Sequence, residues 1–226
     1  MDLSKELAAY FSRVDGGGYA HQYKNEVNLF SQDQAKAESQ LFDGLYVIDL
    51  LGGVILDDPN TSNHHVFATR SPLAGQVFYL SHDGESRIVF DSLADFVAAA
   101  DDALQEGLWL SEMHPGISPV CHDQAGLSEL IRTLCASDDP DHEAMAVSLM
   151  PSLDLRDKEL LNELADSDNF FIVEAIAEEI QKRPQLDLLV IAERCRQHPH
   201  EQAARAGEAA VFAIQSITIA DEHRQF

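Results

Sequence analysis

Val77-Phe78-Tyr79-Leu80-Ser81-His82-Asp83-Gly84-Glu85-Ser86-Arg87-Ile88-Val89-Phe90-Asp91-Ser92-Leu93-Ala94-Asp95-Phe96 reads as two strands and the opening of a helix. Both four-residue runs, 77–80 and 87–90, are rich in β-branched and aromatic residues, and the polar turn between them carries Gly84, so they predict an antiparallel hairpin. Ser92 followed three residues on by Asp95 is a helix-start signal. Beyond it Leu93, Phe96, Val97, Ala100 and Leu104 recur at helical spacing and predict a helix over 93–105 with one apolar face.

Working back from the hairpin, His65-Val66-Phe67-Ala68 predicts a third strand, joined to the hairpin by a turn with Pro72 and Gly75. Val54-Ile55-Leu56 predicts another short strand. Residues 45–51, Leu45-Tyr46-Val47-Ile48-Asp49-Leu50-Leu51, are rich in β-formers and are read as extended up to Gly52-Gly53. Ser31 and Gln34 form a second capping pair and predict a helix over 32–41, preceded by a short extended piece at residues 27–30. The chain opens with Leu3, Leu7, Tyr10 and Phe11 on one helical face. Three glycines, Gly16, Gly17 and Gly18, then stop that helix, and at least one of them is expected to adopt positive φ.

Working forward, residues 111–122 lack periodicity and contain Pro115 and Pro119, so they are read as a linker. From Leu127 onward no strand pattern appears. Leucine-led helices (Leu127 to Leu134, Leu160 to Leu164, Leu188 to Ala192) alternate with alanine-rich ones at a period near thirty residues, and such pairs bury their apolar faces by stacking. The fold expected is therefore an α+β N-terminal domain, with a mixed or antiparallel sheet and flanking helices, over 1–110. The linker 111–122 follows, and then an all-α, helical-repeat domain over 123–226.

The charge is the outstanding bulk property. The 226 residues carry a formal net charge of −24, with six cations against seventeen acids as far as Leu110 and nine against twenty-two beyond it. Acidity thus belongs to both parts. Such a field repels nucleic acid and anionic membranes and draws in basic partners. Three cysteines, Cys121, Cys135 and Cys195, are widely spaced and form no CxxC, so no disulfide framework or zinc ribbon is expected. The opening sequence lacks the apolar core of a signal peptide and no stretch is long and apolar enough for a membrane span, which implies a cytoplasmic protein.

The opening helix running into Val14-Asp15-Gly16-Gly17-Gly18, the Val27-Asn28-Leu29-Phe30-Ser31 element, Asp49-Leu50-Leu51-Gly52-Gly53 and the closing Phe90-Asp91-Ser92-Leu93-Ala94-Asp95-Phe96 together resemble the SMI1/KNR4, or SUKH, superfamily over about residues 1–106. The tryptophans usual in that family are missing; Trp109 is the only one here. From Leu127 the helical pairs are similar to HEAT-like repeats. The first resemblance implies a non-enzymatic binding domain, and in many bacterial members an immunity protein that neutralises a toxin, often a nuclease. A scaffold binding a cellular protein through its helical repeats is the alternative.

No metal, cofactor or catalytic constellation stands out. His64 and His65 are adjacent on a strand, so they point to opposite faces and cannot easily share an ion. His198-Pro199-His200 reads as a polar turn. His114, Cys121 and His122 sit near the linker without a second ligand pair at zinc spacing. Asp57 and Asp58 read as a solvated acidic loop. With Asp101, Asp102 and Glu106, at the end of the 93–105 helix, they are the residues expected to meet a basic protein partner. A pocket with converging, strongly shifted titratable groups would instead favour an enzyme.

Overall fold

The computed structural model describes residues 2–223. Its contacts divide the chain into two compact units, 1–127 and 128–226. Among the described residues every strand lies in the first unit. There β1 (Val54–Ile55), β2 (His64–Phe67), β3 (Val77–Leu80) and β4 (Arg87–Phe90) form one antiparallel sheet in the order β1-β2-β3-β4. The 77–90 hairpin has the expected bounds. Residues 28–30 extend the β1 edge, with Phe30 donating to the carbonyl of Leu56 at 2.8 Å and Asp58 to that of Asn28 at 3.2 Å.

Helices cover the sheet because β2 is buried along its whole length. On the face carrying His65 and Tyr79 lie α4 (Leu93–Glu106) and, packed against it, α1 (Leu3–Gly16). The Phe96 ring stands 4.8 Å from His65 and 6.2 Å from Tyr10. On the opposite face the Phe42 ring stands 5.0 Å from His64, and α2 (Gln32–Leu41) packs against β1. Both helix starts use the capping residues expected: Gln34 accepts from the Ser31 amide at 2.9 Å, and the Ser92 hydroxyl accepts from the Asp95 amide at 3.2 Å.

Two local expectations fail. The β-rich run at 45–51 is not extended, because Tyr46–Leu51 forms the short helix α3. Ile48 and Leu51, three apart, are buried by that turn. Gly52 closes it in the left-handed region at φ 57°. The amides of Thr69 and Arg70 both donate to the carbonyl of Leu51 at 2.9 and 3.0 Å, so tertiary partners satisfy the helix end and override strand propensity. The second failure is the glycine triplet, none of which adopts positive φ. Gly16 ends α1 in helical geometry and Gly17 is extended, at φ −105° and ψ 174°. Gly17 is required for room instead, since a Cβ there would collide with the Tyr19 ring.

The residues read as a linker lie within the first unit and are tied down there. Leu110–Met113 forms a 3-10 turn packed on α4, and Arg87 donates to the Pro115 carbonyl at 2.7 Å and to the Ser118 hydroxyl at 3.2 Å. The Cys121 thiol is buried 3.2 Å from the Pro72 carbonyl.

Helix α5 (Gln124–Cys135) crosses the boundary between the units. The second unit continues with α6 (Pro140–Leu149), α7 (Lys158–Ala165), α8 (Phe170–Lys182), α9 (Leu189–Arg196) and α10 (Glu201–His223). Helix α8 packs against α6, α7, α9 and α10, and α9 packs against α7 and α10. Gly207 lets α10 sit directly on the backbone of Cys195 and Arg196. Cys195 beneath it is fully buried, and burial pushes its thiol up to about 12. Glu179 on α8 is a buried carboxylate that accepts from Lys182 at 2.8 Å and from Arg183 at 2.7 Å. No helix among the described residues is long and apolar enough to cross a membrane.

Candidate functional site

Of the five acidic residues picked from sequence, Asp57 departs furthest from expectation. It is wholly buried, not part of a solvated loop. Main-chain pairing of Leu29 with Asp57 continues the line of β1 past its end and holds Asp57 beside β2. There both oxygens of its carboxyl group are engaged: one accepts from the His65 amide at 2.7 Å and the other meets His65 Nδ1 at 2.6 Å. Its carbonyl meets His64 Nδ1 at 2.8 Å. The two adjacent histidines therefore do point to opposite faces, and one aspartate serves both.

From His65 the chain of contacts continues outward. His65 Nε2 lies 2.8 Å from His114 Nε2, and the His114 ring meets Tyr79 and Phe90 edge-on, at centroid separations of 4.5 and 5.6 Å. Asp57, His65 and His114 thus form a line of three titratable groups running from the end of β1 to the 110–118 segment. Burial is the first cause that lowers His114, to about 3, followed by the charges of His65 and Arg87. Tyr10, whose hydroxyl donates to the Leu56 carbonyl at 3.1 Å, is raised well above the ordinary phenol range by burial and then by Asp57. Sequence reading had His65 and His114 but no way to join them, since they are 49 positions apart, and the aspartate that anchors His65 looked like a surface residue. No cluster of three or more such side chains among the described residues could hold a metal ion.

The other four acids divide by what holds them. Asp58 closes a turn, accepting from the Asn60 amide at 2.8 Å. Asp101 is engaged by α1 and the following loop, accepting from Arg13 at 3.0 Å and from the Tyr19 hydroxyl at 2.7 Å. Of these four, only Asp102 and Glu106 stand exposed, in the last turns of α4. They flank a feature that charge counting overlooked. Trp109 is 56% exposed and Leu108 and Tyr23 are also accessible. Three side chains fix the turn that presents them. Asn25 donates to the carbonyls of Ala103 and Leu108 at 3.3 and 2.8 Å, Glu26 accepts from the Ser111 hydroxyl at 2.5 Å, and Glu112 accepts from the Trp109 amide at 2.9 Å. Loop 21–26 holds this shape with both His21 and Glu26 in the left-handed region, at φ 58° and 55°, where non-glycine residues are strained. The arrangement is a rigid, partly apolar platform with a negative border.

In the second unit a groove of about 580 Å³ between α8 and α10 is lined by Glu174, Glu178, His200, Glu201 and Arg205, among others. Burial raises Glu178. Glu174 accepts from Gln202 at 2.8 Å, and Glu201 pairs with Arg205. Comparison of the chain with protein-family models, with curated proteins and with solved structures gave no match.

Proposed function

We propose that this chain is a non-enzymatic protein-binding protein that takes a basic partner on the surface at the end of α4, with Trp109 as the anchor. The observation that carries the reading is the exposure of the only tryptophan on a turn braced by Asn25, Glu26 and Glu112, with the free carboxylates of Asp102 and Glu106 beside it. Binding energy concentrates in large aromatic residues held rigidly, because little side-chain freedom is lost on docking. Bordering charge of one sign selects and steers a partner of the other. A chain of net charge −24 meets a cationic protein faster than a neutral one would. The resemblance to the SMI1/KNR4 superfamily supports the finer form of this reading, an immunity protein that captures a basic toxin in the cytoplasm.

The α8–α10 groove favours a second reading, in which a scaffold built on HEAT-like pairs binds its partner along Glu174, Glu178 and Glu201. The two readings are separated by capture of partners from the source cells on tagged full-length protein, with mass spectrometric identification. Wild type is expected to retain a basic protein. Trp109→Ala should weaken that complex by about thirtyfold or more, the scale of an interface anchor. Asp102→Lys with Glu106→Lys should slow association and flatten its dependence on salt, with folding stability unchanged. Loss of the same partner only with Glu174→Lys and Glu201→Lys would establish the scaffold reading instead, and a complex indifferent to all of these changes would overturn both.

A further inference from the structure

We propose that the His65–His114 contact is a proton-operated latch on the 110–118 segment, and so regulates the Trp109 surface; the regulatory part rests on the binding reading above, the latch itself does not. Two imidazole nitrogens 2.8 Å apart share a single hydrogen, one donating and the other accepting. His65 Nδ1 is committed to the Asp57 carboxyl group, so only Nε2 is left to meet His114. With Nδ1 donating to the Asp57 carboxyl group, His65 Nε2 accepts and His114 Nε2 donates, so a second proton on His114 goes to its Nδ1 and creates a new, charged donor within the packed site. The His114 ring is packed against the Tyr79 and Phe90 rings, which offer it no acceptor in exchange. Release of His114 is the simplest relief.

The charged and titratable surroundings agree from every side. Asp57, from the strand edge after β1, lies behind His65 and engages its Nδ1. Tyr79 of β3 packs on both histidines and stays neutral, raised by burial and by Glu26. Arg87 of β4 adds positive charge on the His114 side. From α4 comes the apolar ring of Phe96, and from α1 the neutral Tyr10. All of these leave His114 as the member that must stay neutral for the latch to hold. Closed, it resists protonation down to about pH 3; open, it titrates as an ordinary histidine near 6.5. Acid therefore favours the open form, increasingly as pH falls from about 6.5 towards 3, and the latch is fully set above 6.5. Between about pH 7.5 and 5.0 the open population should rise about thirtyfold.

Native-state hydrogen exchange on the full chain tests this without any partner. The amides of Glu112 and His114, bonded to the carbonyls of Trp109 and Ser111, report on the segment, and those of β3 report on the sheet. Protection factors, corrected for intrinsic exchange at each pH, should fall about thirtyfold for the first set from about pH 7.5 to 5.0 while the second set holds. His114→Gln keeps a donor for His65 Nε2 but cannot titrate, so its protection should not change with pH. Unchanged protection in the wild type, equal loss throughout the sheet, or the wild-type pH response persisting in His114→Gln would each overturn the latch. Because no partner enters, failure here leaves the Trp109 surface standing, and a Trp109→Ala variant without a binding defect would leave the latch standing.

Discussion

Replacing Asp57 by alanine is expected to destabilise the first unit by about 3–5 kcal/mol, the cost of stranding buried polar partners. The carboxyl group is out of water entirely and serves the His65 amide and the His65 ring together. Alanine leaves both unanswered in a site too tight for easy resolvation. An asparagine side chain, by contrast, can keep every bond by reversing the direction of two. Its amide oxygen accepts from the His65 backbone, its amide nitrogen donates to His65 Nδ1, and His65 Nε2 then donates to His114. Asp57→Asn should therefore cost only about 1 kcal/mol. Urea unfolding followed by the fluorescence of Trp109, the only tryptophan and a resident of this unit, separates the two outcomes. Equal losses for both substitutions would mean that charge, rather than bond count, is what Asp57 supplies.

The second large effect lies in the other unit. Gly207→Ala in a helix interior would ordinarily stabilise by about 1 kcal/mol through helix propensity. Here the sign is expected to reverse, with a net loss of about 2–3 kcal/mol, in the range of overpacked cores. A Cβ at 207 would lie 2.5 Å from the carbonyl carbon of Cys195 and 2.7 Å from the Cα of Arg196, and closer still to the Arg196 nitrogen. Those are backbone atoms of α9, which cannot swing aside as a side chain can, so α10 must lift away from α9 and loosen the shared core. Gly16 is the control. It also lies in a helix, but a Cβ there meets nothing within 4 Å, and Gly16→Ala should be neutral or stabilising. Thermal unfolding by far-UV circular dichroism decides, and a stabilised Gly207→Ala protein would show that the two helices are not in the close contact described.

What could be read from sequence follows the range of the forces involved. The 77–90 hairpin and the Ser31 and Ser92 helix starts were legible because each is set within a few residues by turn chemistry, alternation or a cap. The helix at 46–51 was not, because the amides of Thr69 and Arg70 that complete it lie about twenty positions away. Asp57 was misread for the same reason. Asp57-Asp58-Pro59-Asn60 has the composition of a wet loop, and nothing local announces that the edge pairing with Leu29 buries the first aspartate. Gly17 shows a milder version: the need for glycine was visible, but its cause is the Tyr19 ring and not the sign of φ. Of the site residues, Asp102 and Glu106 were found by charge. Trp109 was visible as the lone tryptophan, yet its exposure depends on bonds from Asn25 and Glu26, more than eighty positions upstream.

The buried cysteines give the protein two internal clocks. A thiol reacts as its thiolate, and burial raises Cys121 and pushes Cys195 up to about 12, so an alkylating reagent at neutral pH must wait for the surrounding structure to part. Cys121 then times openings of the first unit and Cys195 those of the second, both in one tube and on one unmodified chain. A substitution such as Gly207→Ala should speed capture of Cys195 while Cys121 keeps its own pace. The ratio of the two rates thereby measures how far one unit can come apart while the other stays shut.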